Sequence, residues 1–185
     1  MIDLDALVKN FFPKIKEVGL AAKADEASVV AALKKYPRDM LEDLGEEEIV
    51  VFMLAAVSFS DAFLTDFEGI GYDEFLKEIQ DISSGELSFS DVNNNVSEEI
   101  LEKGIGTSEV SFKCNGEAFN YTAKVYNDWF DVKFISFLNT VFEKKGIEKR
   151  LIVFGDPNGT FITYKKPEFV KKFKENFPMM KADIA

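Results

Sequence analysis

The stretch EVSFKCNGEAFNYTAKVY, residues 109–126, is the strongest local indication of secondary structure in the chain. Apolar and polar residues alternate on both sides of Asn115-Gly116, the preferred pair for a two-residue type I′ hairpin turn. The alternation places Val110 and Phe112 on one face of the first strand. The stretch therefore predicts a β-hairpin with one buried face.

Strand patterns also occur on both sides of this hairpin. ELSFSDV, residues 86–92, alternates in the same way. RLIVFGDPNGTFITY, residues 150–164, predicts a second hairpin with Asp-Pro-Asn-Gly as its turn. Between the hairpins, a helix is predicted with Asp128 as its N-cap and Trp129 as its first residue. A last helix is predicted to start at Pro167.

The first 83 residues have helical periodicity. Apolar residues recur at helical spacing from Leu4 onward, and Pro13 is predicted to end this helix and to start another. Further helices are predicted over 25–35, 46–67 and 72–82, and the nearly all-apolar 46–67 segment is interpreted as the central helix of a bundle.

These patterns predict an α+β fold. Residues 1–83 are expected to form a helical bundle. Residues 84–185 are expected to form an antiparallel sheet of hairpins in the order β-ββ-α-ββ-α, with helices on one face. The two parts are expected to make one compact unit, because 185 residues can bury about 70% of the unfolded surface.

The composition excludes several classes of active site. The chain has no histidine, so Ser–His and Cys–His nucleophile pairs are absent. Cys114 is the only cysteine, which excludes an intrachain disulfide, and it is interpreted as a structural thiol. No catalytic residue, metal ligand or cofactor is predicted.

One segment has partial metal-site spacing. Residues 91–102, DVNNNVSEEILE, place oxygen ligands at the EF-hand positions. Val96 stands where the sharp turn needs glycine, and Glu98 stands where an apolar residue is usual. An Asn-rich loop followed by a helix start is the preferred interpretation.

Acidic residues are concentrated in the middle of the chain. The net charge is −11, but residues 39–109 have 19 acidic residues and only two lysines, a net charge of −17. Residues 1–38 and 110–185 carry net charges of +2 and +4. This block is either a solvated surface balanced by its basic flanks or a docking face for a cationic partner.

The docking hypothesis assigns partner-binding roles to eight of these acids and to the only tryptophan. Trp129 is expected either to pack over the end of the sheet or to be a partly exposed anchor beside Tyr126 and Phe130. The predicted contact residues are Glu46, Glu47, Glu48, Asp61, Asp66, Glu68, Asp73, Glu74 and Trp129.

Residues 106–139, GTSEVSFKCNGEAFNYTAKVYNDWFDVKFISFLN, and 149–155, KRLIVFG, resemble small bacterial proteins of polymorphic toxin–immunity systems. The shared pattern is an Asn-Gly hairpin, an aromatic-Asp helix entry, and a helix carrying Leu-Asn that is followed by another hairpin. The resemblance covers about half of the chain and carries no binding residue over. It implies an intracellular inhibitor that binds a cognate toxin domain.

The sequence thus favours a cytoplasmic immunity-type protein that neutralises a basic toxin domain through an acidic surface. A nucleic-acid partner is not expected, because the chain is acidic overall. A membrane partner is not expected either, because the longest apolar run, 49–59, has eleven residues. The alternatives are a small carboxylate-based or divalent-cation-dependent enzyme and a non-inhibitory adaptor module.

Overall fold

The computed structural model describes residues 3–156 and 159–185, except the side chains of Glu46, Glu47 and Asp156. The α+β class is confirmed, with helices and two antiparallel sheets. The helices of the described chain are α1 Leu4–Val18, α2 Glu26–Leu33, α3 Arg38–Asp43, α4 Glu46–Val57, α5 Tyr72–Ile82, α6 Glu98–Lys103, α7 Lys133–Lys144 and α8 Glu168–Asn176. The strands are β1 Ala62–Thr65, β2 Phe89–Asn95, β3 Ile105–Cys114, β4 Glu117–Tyr126, β5 Arg150–Asp156, β6 Gly159–Lys165 and β7 Lys181–Ile184.

The hairpin predicted from residues 109–126 is confirmed as β3 and β4. Val110 pairs with Tyr121, and the two turn residues Asn115 and Gly116 have φ values of 49° and 81°. Positive φ at both central positions is what a type I′ turn requires. With β2, the hairpin makes a three-stranded sheet of order β2-β3-β4.

The second sheet has the order β1-β6-β5-β7, and every pair in it is antiparallel. Its central strands are those of the second predicted hairpin, although Pro157 and Asn158 of the predicted turn lie outside the described residues. Apolar side chains occupy both faces of these strands. Ile152 and Phe154 face a core with α1, α2, α4 and α8, while Leu151 and Tyr164 face a core with α5, α7 and the other sheet. Helices therefore cover both faces of this sheet, because successive strand residues point to opposite sides.

The predicted central helix over 46–67 is wrong beyond Val57. The chain turns at Ser58, where φ is 52°, and the residues of β1 then pair with β6. Ala62 lies opposite Thr163 in this pairing and is buried. Ladder hydrogen bonds from a strand about one hundred residues away override the local helical pattern. The four-stranded sheet thus includes residues from the first 83.

The predicted helix break at Pro13 is also wrong. Helix α1 is continuous through Pro13, which is exposed on its outer side. Phe12, Ile15 and Val18 continue the buried stripe of this helix. Burial of a full stripe outweighs the roughly 3 kcal/mol that an internal proline costs.

Helix α7 starts at Lys133 and not at Asp128. Residues 127–131 form a turn and an extended segment, and Trp129 makes isolated β-bridges with Glu68 and Tyr126. Pairing with the chain after β1 therefore replaces the first helical turn that the sequence predicts.

Candidate functional site

A groove with three carboxylates lies at the end of β1. We call it the acidic groove, and its volume is about 490 Å³. Its lining residues are Leu64, Thr65, Asp66, Glu68, Gly69, Ile70, Glu74 and Gly159. The three carboxylates are exposed, and none of them forms an ion pair within the described part of the chain. The fold therefore brings three of the eight predicted acids to one concave surface, where the described residues supply no neutralising partner.

The loop that carries Asp66 and Glu68 is held by side chains. The Oδ1 atom of Asp66 accepts the Glu68 N–H at 3.2 Å, and the Thr65 hydroxyl oxygen accepts the Phe67 N–H at 3.1 Å. Phe67 has a φ of 66°, which is unfavourable for a residue with a Cβ. Its ring compensates by packing on the ring of Phe75. The carboxylates of Asp66 and Glu68 are therefore placed by a hydrogen-bonded loop, and that of Glu74 by helix α5, which lowers the ordering cost of binding.

The same loop is bonded to the segment that contains Trp129. The Gly69 N–H donates to the Asp128 carbonyl oxygen and the Phe130 N–H donates to the Phe67 carbonyl oxygen, both at 2.9 Å. Glu68 and Trp129 face each other in an isolated antiparallel bridge. The acidic groove and the only tryptophan are thus neighbours, although the sequence separates them by about sixty residues.

Trp129 belongs to an exposed apolar patch, which we define as Ile105, Tyr126 and Trp129. The exposed fraction is 64% for Ile105, 60% for Tyr126 and 50% for Trp129. Ile105 and Tyr126 are cross-strand partners, and Tyr126 forms a bridge with Trp129. Phe130, the other neighbour proposed for the tryptophan, is buried against Tyr72 and Phe75. Trp129 is therefore partly exposed, on a segment that Phe130 anchors in the core.

The carboxylate of Asp131 holds this segment to the three-stranded sheet. Its Oδ2 atom accepts hydrogen bonds from the Tyr121 hydroxyl and the Lys124 N–H, each at 2.9 Å. Its Oδ1 atom accepts the Lys133 N–H at 3.1 Å, which satisfies a donor at the start of α7. Burial, followed by the hydrogen bond to Asp131, raises the pKa of Tyr121, so this phenol remains a donor at neutral pH.

Replacing Tyr121 by Phe should lower the free energy of unfolding by about 1–2 kcal/mol, because a hydrogen bond to a charged acceptor is lost. Urea denaturation gives this value. Tyr126→Phe is a matched control, since Tyr126 is exposed and its hydroxyl donates no hydrogen bond in the described structure. Equal stability of the two variants would contradict a role for the Tyr121–Asp131 bond in holding the segment.

Two other predicted contact acids have structural partners. Asp61 is largely buried, and its Oδ2 atom lies 2.5 Å from the Lys165 ammonium. Its Oδ1 atom accepts the Ala21 N–H at 2.9 Å. Glu48 folds back to accept the Gly45 N–H at 2.9 Å and so caps α4. Each of these two carboxylates therefore stabilises the fold locally, and their role in binding a partner stays a prediction.

The remaining predicted acids are less informative. Asp73 is exposed in the first turn of α5. Its carboxylate lies next to Gly71 and does not line the acidic groove. The side chains of Glu46 and Glu47 lie outside the described residues. The structure therefore brings Asp66, Glu68, Glu74 and Trp129 together, while Glu48, Asp61 and Asp73 do not line the same groove.

The segment 91–102 has no loop suited to a calcium ion. Asn93 and Asn95 belong to strand β2 and pair with β3, and Ser97 caps α6 by accepting the Ile100 N–H. The predicted Asn-rich loop is therefore wrong, because these asparagines belong to strand β2. The predicted start of a helix after it is confirmed by α6. Over residues 3–156 and 159–185, no three acidic or cysteine side chains are grouped as a metal site.

Cys114 is fully buried in the described structure, and burial raises the pKa of its thiol. A protonated, inaccessible thiol is a poor nucleophile. Its position at the end of β3, in the core beneath the three-stranded sheet, agrees with the structural role predicted for it.

Comparisons with protein-family models, with curated proteins and with solved structures found no match. The site is therefore characterised by its own geometry: fixed carboxylates in a groove beside an exposed aromatic anchor. Within the described residues, no helix has the length and apolar character needed to cross a membrane.

Proposed function

We propose that this chain is a cytoplasmic, immunity-type protein of bacteria that neutralises a toxin protein by non-covalent association. The observation that carries the proposal is the position, beside the half-exposed Trp129, of three carboxylates that have no ion-pair partner among the described residues. This arrangement combines the two contributions that a tight protein complex needs, namely long-range attraction and a buried anchor.

The carboxylates favour a partner with a basic surface. A concave surface with one sign of charge concentrates its field and raises the rate of association with an oppositely charged molecule. The active site of a nucleic-acid-cleaving toxin is such a surface, because it binds phosphates with lysine and arginine. An acidic groove placed against it would prevent substrate from entering.

In this proposal, burial of the apolar patch in the complex makes dissociation of the partner slow. Trp and Tyr are enriched among residues that dominate interface energies, because each buries a large area with few rotatable bonds. In the free chain, about half of the Trp129 surface is still available for burial. The patch and the acidic groove adjoin, so one partner can cover both.

Neutralising the groove should slow association with the partner. The partner is obtained by affinity capture from extract of the source cells and is identified by mass spectrometry. For the triple variant Asp66→Asn, Glu68→Gln, Glu74→Gln, we expect an association rate constant about tenfold lower at low ionic strength, with a weaker dependence on salt. Stopped-flow mixing of the purified proteins measures both quantities.

A variant with the same loss of charge elsewhere is the control. Glu17→Gln, Asp39→Asn and Glu143→Gln alter three exposed carboxylates that do not line the groove. This control should associate within about twofold of the unmodified chain. Equal rates for both triple variants would contradict a role for the groove. A bound partner that keeps its full toxic activity would instead favour the adaptor alternative.

A further inference from the structure

Strand β1 has an open edge. It is the end strand of the four-stranded sheet and forms ladder hydrogen bonds with β6 alone. In an antiparallel ladder, alternate residues direct their N–H and C=O groups away from the neighbouring strand. The outward groups of β1 therefore have no strand partner within the described chain, and the edge is accessible to another extended backbone at the half-exposed Leu64, while Ala62 and Thr65 are buried.

The edge of β1 has no charged side chain, although its length of four residues limits pairing with other strands. Proteins commonly place charged residues, especially lysine, on end strands to prevent pairing with other chains. The opposite end strand, β7, has Lys181 and Asp183 among its four residues. Strand β1, with the sequence AFLT, has no charged residue, and Leu64 is half exposed.

A second hollow continues the acidic groove along this edge. Its volume is about 310 Å³, and it is bordered by α4 on one side of the sheet and by α5 on the other. Leu64 lines both hollows, so together they follow the whole of β1. The residues of the second hollow are Lys23, Leu54, Ala55, Ser58, Phe59, Ser60, Ala62, Phe63, Leu64, Glu78, Asp81, Ile82 and Phe161.

The two walls of this channel differ in chemistry. Glu74, Glu78 and Asp81 are spaced i, i+4 and i+7 on α5 and therefore form one row that faces the hollows. On the opposite side, that of α4, the hollow is lined by the exposed Ala55, Ser58 and Lys23, while Leu54 is fully buried. A strand placed along β1 would direct alternate side chains to the acidic wall and to the opposite wall.

We propose that β1 pairs with an extended segment of the partner protein in which every second residue is lysine or arginine. The partner itself rests on the proposed function. Backbone hydrogen bonds to β1 supply affinity, and the two walls select the alternating sequence, as in other cases of strand addition. The charge of the α5 row specifies basic side chains on one face of the added strand.

The first test uses a synthetic peptide as the probe. It is a capped peptide of about nine alternating valine and lysine residues, compared with the same sequence N-methylated at every backbone amide. We expect the unmodified peptide to bind at least about tenfold more tightly and to slow amide exchange over residues 62–65 about tenfold. Equal binding of the two peptides, or unchanged exchange at β1, would overturn the inference.

The second test places a lysine on the edge. Leu64→Lys should weaken binding of the peptide by about tenfold, because a lysine at an open edge repels a basic strand. Leu101→Lys makes the same change at another exposed leucine, on α6, and should leave the affinity within about twofold. An equal loss in both variants would show general charge repulsion and would reject pairing at β1.

The two proposals fail in different ways. If the captured partner is slowed by groove neutralisation but leaves the exchange of residues 62–65 unchanged, strand pairing is rejected and the proposed function stands. If the peptide protects β1 but the captured partner remains toxic in the complex, strand pairing stands and the immunity function is rejected.

Discussion

Replacing Trp129 by Ala is expected to weaken the complex with the captured partner by about thirty-fold or more, mainly through faster dissociation. The side chain is half exposed in the free chain, so its truncation removes area that only the complex buries. The contacts that position the residue come from the backbone, including the bond from the Trp129 N–H to the Tyr126 carbonyl oxygen at 3.1 Å. Biosensor dissociation curves measure the effect.

The control for this variant is Met40→Ala. Met40 is exposed on α3, away from the segments that form the patch, and its truncation should change the dissociation rate by less than about twofold. Both variants should unfold at the urea midpoint of the unmodified chain. If Trp129→Ala dissociates as slowly as Met40→Ala, the patch lies outside the interface and the anchor hypothesis is wrong.

The elements predicted correctly are those whose signals are contiguous in the sequence. The hairpin 109–126 combines two alternating runs with a turn pair that accepts positive φ, and all three signals agree. Helix α5 likewise combines a strong apolar stripe with acids in its first turn. In both elements the local preference and the tertiary structure coincide.

Strand β1 was not predictable in this way. Its four residues continue an apolar run that is typical of a buried helix, and their strand conformation depends on β6, which follows about one hundred residues later. The turn at Ser58 and the half-exposed Leu64 follow from that pairing. A short strand held by a distant partner has no local signature to separate it from helix.

The net charge of residues 39–109 does not show which of their acids are paired in the folded chain. The sequence shows an excess of acids but not which residues lie next to them in space. Asp61 and Asp66 are therefore both predicted as contact residues, although only Asp61 is paired with a lysine, Lys165, in the described structure. Basic residues of the C-terminal part also neutralise Glu86 and Asp91, through Lys149 and Lys113. Such pairs reduce the repulsion within the block, and among the described residues the acids at the groove have no such pair.

Glu78 and Asp81 are not among the contact residues predicted from the sequence, although they line the channel along β1. Their spacing from Glu74 is the only signal in the sequence that groups them on one helix face. It indicates a channel only when α5 is known to border the end strand β1. The position of Trp129 beside Glu68 also has no signal in the sequence, since it depends on a bridge between two loops.

The largest stability loss is expected for Asn139→Leu, at about 3 kcal/mol of unfolding free energy. Asn139 is buried in α7, at the point where the ladder between β5 and β7 ends. Its Oδ1 atom accepts the Leu151 N–H at 2.7 Å, and its Nδ2 atom donates to the carbonyl oxygens of Leu151 at 3.0 Å and Ala185 at 2.8 Å. Leucine has the same branched shape and the same number of side-chain heavy atoms, so the change removes these bonds without leaving a cavity.

The loss is large because the Leu151 N–H would remain buried without an acceptor, whereas the Leu151 carbonyl oxygen keeps the Ala185 N–H at 3.3 Å. The adjacent change Thr140→Val removes one hydrogen bond, to the Ser136 carbonyl oxygen, from the exposed side of the same helix. We expect it to cost less than about 0.5 kcal/mol. Urea denaturation of both variants measures the difference, and faster amide exchange in β7 should accompany Asn139→Leu alone. A difference below about 1 kcal/mol between the variants would mean that α7 does not hold the end of β5 through this amide.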